Sequence, residues 1–334
     1  MKYDYFAFLK KEGFDNKTLK EFENNDNLYF FHAKQDKLFN KNPNKGRSLY
    51  FSNNKREYSL SDDFLSQIIV REKEFLKIFS LRIKLTSPFF TASENQFYSI
   101  QNPIAKERPT GLPVFKGSSF KGALRQAAID MVEDELLDKN YGEILEEYES
   151  KNEDEIIEAE GKDRFFFKKR EQLVKLFGNE KDVRWFTFKT LLATGGIKDV
   201  SKTKEILDKI SNAFEDYLRK SKITDKEGNC KGRLVFEDIH FKKVTLDVIT
   251  PLSREKRIPV HGPIFYEVVP EGEFATTSIL WFPFDLIASS KENINDEWEN
   301  DKKLIKNALN KLKEKGIGAK TKNGWGRFKW EEIS

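Results

Sequence analysis

The chain has 334 residues, of which 34% are charged and 38% are hydrophobic, so it is long enough to form a large buried core. Its net charge of +4 is only weak evidence for a polyanionic partner, because isolated nucleic-acid-binding proteins usually carry a much larger excess of positive charge. The single cysteine, Cys230, excludes an internal disulfide framework and a cysteine-based zinc site, and three scattered histidines do not suggest a metal centre. We therefore predict no metal and no cofactor.

Residues 1–75 are predicted to form an irregular N-terminal extension. The first residues, Met1-Lys2-Tyr3-Asp4, carry charge and lack the apolar core of a signal peptide. No uninterrupted apolar run approaches the roughly 18–20 residues of a membrane span. These observations predict a soluble, cytoplasmic protein that has no membrane partner.

Residues 76–334 predict one elaborated domain, in which alternating apolar residues mark strands and apolar residues at helical spacing mark helices. The predicted strands cover Phe79–Thr86, Leu234–Phe236, Phe241–Ile249, Phe274–Phe284 and Trp325–Trp330. The predicted helices cover about Ser118–Leu137 and Trp298–Lys315, and Gly316 ends the second helix as a C-cap. If insertions are ignored, the order is strand, helix, strand, strand, helix, strand, which predicts an α+β, ferredoxin-like (RRM-like, βαββαβ) fold with a helical acidic insertion at about 133–230.

Charge is segregated along the chain, as an electrostatic binding surface requires. An acidic block covers Glu133–Glu158, and the basic residues gather near glycines and prolines. These basic residues are Lys168, Lys169, Arg170, Arg254, Lys256, Arg257, Lys313, Lys315, Lys320, Lys322 and Arg327. The alternative interpretation is that both sets are solvated surfaces, and for the acidic block this is the favoured one.

The segment from Gly117 to Arg125 places a glycine, two hydroxyl side chains and a lysine at a predicted helix start. Unpaired backbone N–H groups and the positive end of the helix dipole favour anions there. Lys121 and Arg125 are four residues apart, so they lie on one helix face. We therefore predict a phosphate site formed by Gly117, Ser118, Ser119, Lys121 and Arg125. The alternative is a capped helix start with two solvated cations.

A second glycine-rich segment, Gly316–Arg327, is predicted to line the same ligand path. Its four glycines allow a ligand to approach the backbone closely, and its cations supply charge. The predicted ligand contacts are Lys320, Lys322, Asn323, Gly324, Trp325 and Arg327. Trp325 has two open interpretations, a base-stacking ring or a core residue. We expect valine at Gly318 or Gly324 to damage ligand binding more than folding.

A third candidate segment, Asp247–Pro259, leaves a predicted strand and enters a basic loop bounded by prolines. Loops of this kind on a rigid scaffold often carry binding residues, and Arg254 and Arg257 are the predicted ligand contacts here. An ordinary surface loop is an equally good interpretation. No Gly-x-Ser-x-Gly elbow or Cys/His pairing supports nucleophilic catalysis.

Four motifs occur together in one order and resemble the RAMP superfamily of CRISPR-associated proteins over roughly residues 75–330. The motifs are Gly117–Arg125, Leu176-Phe177-Gly178, Gly232–Asp238 and Gly316–Gly326. Within that family, Asn27–Phe30 and Asp247–Pro251 are most similar to the sixth, 3′-end-capping subunit of the type III-B (Cmr) effector complex.

The resemblance implies a non-catalytic subunit in antiviral defence that binds the guide (CRISPR) RNA toward its 3′ end and caps the backbone filament. The implied partners are the guide RNA, other RAMP subunits of the effector complex, and target RNA when the complex is engaged. The RNA-cutting subunits of the family resemble one another in an aspartate placed in the loop after the first strand. Between Thr86 and Gly117 this chain has no aspartate or histidine, only Glu94 and Glu107.

Three alternatives remain open at this point. One is a RAMP-family endoribonuclease in which His32 or His240 and a lysine perform acid–base chemistry on a 2′-hydroxyl. Another is the equivalent 3′-end subunit of a type III-A (Csm) complex. The last is an unrelated binding protein with a ferredoxin-like fold.

Overall fold

A computed structural model describes residues 76–92, 102–107, 110–138, 155, 162–178, 200–225, 227–251, 253, 262–286 and 291–333. The helices are α1 (Gly117–Asp138), α2 (Lys162–Phe177), α3 (Val200–Lys220) and α4 (Lys291–Lys315). The strands are β1 (Lys77–Leu85), β2 (Val114–Phe115), β3 (Leu234–Phe236), β4 (Ile239–His240), β5 (Thr245–Ile249), β6 (Ile264–Val268), β7 (Phe274–Trp281) and β8 (Phe328–Ile333). Short 3₁₀ turns cover Phe284–Leu286 and Thr321–Asn323.

The main sheet has four antiparallel strands in the order β3-β7-β1-β8. Its strands and the two helices between them follow the chain order β1-α1-β3-β7-α4-β8, which is the split βαβ order predicted from the sequence. Lys84 of β1 faces Phe274 of β7 on one side and Lys329 of β8 on the other. The first residues of β7 and β8 therefore lie at the same end of the sheet as the last residues of β1.

Among the described residues, one face of the main sheet is covered by helices, and the other is exposed where it carries Arg82 and Lys84. Alternate β1 residues from Phe79 to Leu85 are buried, while Arg82 and Lys84 on the opposite face are exposed. Helices α1 and α4 pack against each other, and their apolar residues join the buried β1 residues in one core cluster. The helices therefore occupy the side of the sheet toward which Phe79 points.

Apolar residues at helical spacing explain both core helices. In α1 the buried positions Phe120, Leu124 and Ala127 fall on one face. In α4 the buried positions include Ile305 and Leu312. The predicted C-cap is confirmed: Gly316 has a φ of +86°, and its N–H donates to the Leu312 carbonyl at 2.8 Å.

A buried polar network ties β3 to α4 inside this core. The Arg233 guanidinium is 2% exposed and pairs with Asp285, with Glu297 at 2.8 Å and with Asp301 at 2.9 Å. Trp281 Nε1 also donates to Asp301 at 2.9 Å. Burial raises the pKa of the Asp301 carboxyl, although Arg233 and the hydrogen bonds from Gln172 and Trp281 oppose this effect.

Two smaller antiparallel pairs, β2–β4 and β5–β6, lie beside the main sheet. The β5–β6 hairpin is joined to a second apolar cluster of Phe90, Tyr266, Val268 and Trp325. Its buried Glu267 pairs with Lys106 and accepts a hydrogen bond from the Ile104 N–H at 3.1 Å. These contacts anchor the hairpin to the chain that follows β1.

Several predicted boundaries were wrong for local reasons. The last strand begins at Phe328 instead of Trp325, because Gly324 and Gly326 adopt positive φ angles that strands do not accommodate. The predicted strand Phe241–Ile249 begins at Thr245, since Phe241 is buried beside β2 and donates its N–H to the Pro113 carbonyl at 3.0 Å.

Other predicted features lie wholly or largely outside the described residues. The N-terminal extension and most of the acidic block belong to this group; within the block, Glu155 is helical and exposed. Strand β6 was not predicted, and neither was a separate helix α3. The domain boundaries stay a prediction.

Candidate nucleic-acid interface

The helix start at Gly117 is held against the end of β3 by two contacts. A Cβ atom on Gly117 would lie 2.3 Å from the Phe236 carbonyl oxygen, so only glycine allows this approach. The Gly117 N–H donates to Asp238 Oδ1 at 2.7 Å, and Lys116 Nζ lies 2.6 Å from Asp238 Oδ2. Two sequence motifs, Gly117–Arg125 and Gly232–Asp238, therefore meet at one place.

The Asp238 carboxylate is stabilised at this position. Burial opposes its ionisation, but the hydrogen bonds from Lys116 and the Gly117 N–H outweigh that effect and lower the pKa of Asp238. A carboxylate of the protein thus caps the first N–H group of α1. A phosphate cannot take that N–H group without displacing Asp238.

The next two N–H groups of α1 belong to Ser118 and Ser119, and both residues are exposed. Within the described residues, these two N–H groups have no hydrogen-bond partner, because the first helical bond runs from Phe120 N–H to the Lys116 carbonyl at 2.9 Å. Lys121 and Arg125 follow on α1, are half-buried, and each takes part in another interaction of the chain. The predicted anion site therefore retains two backbone donors, the N–H groups of Ser118 and Ser119, with the positive charges of Lys121 and Arg125 nearby.

The glycine-rich segment is bonded to the chain that leaves β1. Gly326 N–H donates to the Pro88 carbonyl at 2.8 Å, and Ala319 N–H donates to the Phe90 carbonyl at 2.7 Å. The Arg327 N–H donates to Ser87 Oγ at 2.8 Å. The backbone of the segment is thus fixed on the fold before any ligand is present.

The charged and amide side chains among the predicted contact residues of this segment are exposed. Lys320 has a φ of 62°, and its Nζ lies 5.4 Å from the centre of the Tyr266 ring. Lys322, Asn323 and Arg327 are exposed. A Cβ atom on Gly324 would meet nothing within 4 Å, although its φ of +83° favours glycine.

Gly318 serves the fold more directly than the sequence suggested. A Cβ atom there would lie 2.3 Å from the Phe90 carbonyl oxygen, at a φ of +80°. Substitution is therefore strained both sterically and conformationally. This geometry argues against the expectation that valine at Gly318 harms RNA binding more than folding, because folding itself should suffer.

The ring of Trp325 is packed into the second apolar cluster. Trp325 is 8% exposed, with ring centroids 5.5 Å from Tyr266 and 6.4 Å from Phe90. Both contacts are edge-to-face, a favourable arrangement for aromatic pairs. This burial favours the core interpretation of the ring, and an RNA contact by Trp325 stays a prediction.

Phe89 brings the two glycine motifs to the same end of the sheet. Its ring lies 5.5 Å from the Phe115 ring, which directly precedes the start of α1, and 5.3 Å from the Phe241 ring. On its other side, a Cβ atom on Gly318 would come within 2.7 Å of Phe89 Cε2. The helix start and the glycine-rich segment therefore flank one buried ring.

The basic loop after β5 contains Arg254 and Arg257, which lie outside the described residues. Its base is described: Ile249 pairs with Ile264 at the end of the β5–β6 hairpin. Because Tyr266 of this hairpin packs on Trp325, the loop begins and ends on an element joined to the glycine-rich segment. Its RNA contacts stay a prediction.

Sequence reasoning missed the side-chain contacts around the helix start. His240 Nε2 lies 3.4 Å from Glu107 Oε2, and Thr110 Oγ1 donates to the same oxygen at 2.8 Å. The His240 Nε2 atom is buried and has no hydrogen bond within the described residues. Asp238 was visible as the last residue of the Gly232–Asp238 motif, yet its capping role depends on a tertiary contact with Gly117.

Comparison with models of protein families identifies the family to which this chain belongs. The model of the RAMP superfamily matches residues 82–329 of this chain. The chain belongs to the RAMP superfamily. Membership in the RAMP superfamily implies a ferredoxin-like fold, in agreement with the order of strands and helices in the main sheet.

Solved structures similar to this RAMP protein include chains of two CRISPR complexes. A chain in a cryo-EM structure of the type III-B Cmr-beta complex bound to cognate target RNA has 14% sequence identity and a TM-score of 0.49, covering 98% of this chain and 87% of that one. A chain of a type IV-B CRISPR complex has 12% identity and a TM-score of 0.40, covering 77% and 91%. No curated protein matches the sequence significantly.

Two further observations concern the residues that the structure describes. Among their helices, none combines the length and the hydrophobicity needed to cross a bilayer. Among the same residues, no group of three or more histidine, cysteine or acidic side chains is arranged to hold a metal ion.

Proposed function

We propose that this RAMP protein is a subunit of a type III CRISPR effector complex, that it binds the guide RNA toward its 3′ end, and that it caps the backbone filament. We favour the type III-B complex because the motifs Asn27–Phe30 and Asp247–Pro251 are most similar to its sixth subunit. The observation that carries the proposal is the meeting of the Gly117 helix start and the glycine-rich segment around Phe89. Two remote motifs there present backbone donors and cations at one end of the sheet.

The chemistry of this end suits a phosphate backbone. The N–H groups of Ser118 and Ser119 are exposed donors at the positive end of a helix dipole. Lys322 and Arg327 add exposed cations on the glycine-rich side. Backbone donors and cations recognise phosphate without reading bases, and a subunit that binds guides of different sequence needs this property.

We further propose that the chain does not cut RNA. In the loop after β1, the carboxylate of Glu107 accepts a hydrogen bond from Thr110 and lies beside His240. This pairing ties Glu107 to the protein, so it is a poor substitute for a free catalytic carboxylate. The proximity of Glu107 and His240 is also the one observation that favours the endoribonuclease alternative, because a carboxylate beside a histidine resembles an acid–base pair.

The burial of His240 Nε2 weakens that alternative, since a group that transfers protons to RNA must reach it. Incubation of the protein with labelled guide and target RNA, in EDTA and in magnesium, tests it directly. We expect intact RNA in both buffers. Cleavage that disappears in His240→Ala would establish the endoribonuclease and reject the non-catalytic role.

Binding to guide RNA is tested by titration of labelled RNA at several salt concentrations, with the isolated chain and with the assembled complex. We expect weak binding by the isolated chain and tight binding by the complex, because a net charge of +4 gives little long-range attraction. Lys121→Ala should weaken binding equally for all sequences and reduce the salt dependence by about one phosphate contact. Lys303→Ala on α4 is the control for loss of one lysine charge away from the proposed site. An equal effect of both variants would reject the proposed site.

A further inference from the structure

A row of three exposed side chains crosses the open face of the main sheet. In the strand register, Lys84 of β1 lies between Phe274 of β7 and Lys329 of β8. Phe274 is 49% exposed, and both lysines are exposed. We call these three residues the cross-sheet row. Because β8 begins directly after Arg327, the row adjoins the glycine-rich segment.

The two lysines of the cross-sheet row oppose each other directly. Like charges at opposed positions of an antiparallel pair destabilise a sheet. Within the described part of the chain neither lysine has an ion-pair partner, because Glu331 pairs with Arg82 at 2.8 Å and Glu332 pairs with lysines of α4. An anion bound between Lys84 and Lys329 would relieve this repulsion.

Phe274 supplies the second half of a nucleotide site. Nearly half of it is open to solvent, and the Arg82 guanidinium lies 6.0 Å from its ring centroid. An exposed ring flanked by cations binds single-stranded nucleic acid through base stacking and phosphate attraction. The next rows of the same face carry Thr276, Ser278 and Ser80, so the ring is not part of a continuous apolar patch of the kind that marks a protein-binding surface.

We infer that the cross-sheet row binds an unpaired nucleotide of the guide RNA, with its base on Phe274 and a phosphate between Lys84 and Lys329. The nucleotide must be unpaired, because neighbouring pairs cover the faces of bases inside a duplex. This inference rests on the proposed function, since it assumes that the chain meets guide RNA. It adds a contact on the sheet face, away from the backbone donors at the start of α1.

The test uses the full chain and a single-stranded RNA that contains 2-aminopurine, at about 50 mM salt to favour phosphate contacts. Stacking on Phe274 should quench the fluorescence of the probe. Phe274→Leu keeps an apolar side chain but removes the aromatic face, so it should abolish quenching and weaken binding about 5- to 100-fold. Phe274→Tyr should bind like the wild type. Lys84→Gln and Lys329→Gln should each reduce the salt slope by about 0.7.

Phe284 offers a matched control, since it is 52% exposed, has Lys231 Nζ 5.3 Å from its ring centroid, and follows the opposite end of β7. Phe284→Leu should leave quenching and affinity unchanged. Wild-type affinity in Phe274→Leu, together with weakened binding in Lys121→Ala, would overturn the row and leave the proposed function intact. Normal RNA binding by Phe274→Leu with lost association to a neighbouring subunit would identify a protein-docking face and also overturn it. Absence of RNA binding by the wild type, alone and in the complex, would reject both proposals.

Discussion

Asp238 accepts a hydrogen bond from the Gly117 N–H at 2.7 Å, although the two residues are separated by more than a hundred positions. The contact explains why a short strand ending in acidic residues accompanies the glycine motif in this chain. It also places a negative charge at the N-terminal end of α1, where an RNA phosphate is expected. The same carboxylate therefore stabilises the helix and competes with the ligand.

The first prediction separates these two effects of Asp238. Asp238→Asn keeps an oxygen that can cap Gly117 but removes the negative charge, so RNA affinity should rise and its salt dependence should steepen. Asp238→Ala also loses the cap and should cost about 1 kcal/mol of unfolding free energy. Titration with guide RNA and urea denaturation measure the two quantities. Weaker RNA binding in Asp238→Asn would show that Asp238 positions the site instead of competing with RNA.

The second prediction concerns pH. Because hydrogen bonds lower the pKa of Asp238 in the folded protein, its carboxylate stabilises the fold above the unfolded-state pKa of about 3.9, and this contribution disappears as the pH falls through the lower folded-state value. The difference in unfolding free energy between wild type and Asp238→Ala should therefore be constant above about pH 5 and shrink below pH 4. Urea denaturation across this range provides the measurement. A difference that grows on acidification would contradict the assigned pKa direction.

The third prediction contrasts two glycines of the same segment. Gly318→Ala places a Cβ atom 2.3 Å from the Phe90 carbonyl and should destabilise the protein by roughly 3 kcal/mol or more. Gly324→Ala meets no neighbouring atom and should cost only about 1 kcal/mol, from its positive φ. Thermal unfolding of the two variants compares them directly. If Gly324→Ala nevertheless loses RNA affinity while remaining folded, its role at the RNA surface is supported.

The fourth prediction addresses the buried Arg233 network. Arg233→Met leaves Asp301, which is 1% exposed, without its cation, so it should lower the unfolding free energy by about 3–5 kcal/mol. Burial already raises the pKa of Asp301, and loss of Arg233 raises it further. The stability of Arg233→Met should thus be greatest at acidic pH and fall as the pH rises. The double variant Arg233→Met/Asp301→Asn should recover part of the lost unfolding free energy. If it recovers none, the loss in Arg233→Met comes from altered packing and not from the unpaired charge of Asp301.

The elements with strong periodicity were predictable from the sequence, and the elements that depend on tertiary contacts were not. Alternation predicted β1 within a residue or two, and helical spacing with Gly316 predicted the end of α4. The start of β8 was misplaced because an alternating pattern does not reveal the positive φ of Gly326. Strand β6 was missed because Glu267, which interrupts its apolar run, is buried only through its partner Lys106.

The glycines and cations of the candidate site were predictable from the sequence, but the acidic side chains that lie beside them were not. The glycines and cations of both segments were visible, and the structure brings the two segments together around Phe89. The cap formed by Asp238 and the pairing of Glu107 with His240 depend on tertiary contacts, which the local sequence does not indicate. The burial of Trp325 likewise depends on a hairpin that the sequence did not reveal.

The position of Phe89 has a consequence for how affinity arises. Since the buried ring packs against Phe115, two residues before Gly117, and lies close to Gly318, the relative placement of the two glycine motifs is set when the protein folds, before any ligand binds. Association then loses less conformational entropy than it would if two independent loops had to close on the RNA. Replacing Phe89 by a smaller side chain would remove none of the proposed RNA-contacting groups. Their relative positions would be less restricted before binding, so binding of the RNA would lose more conformational entropy.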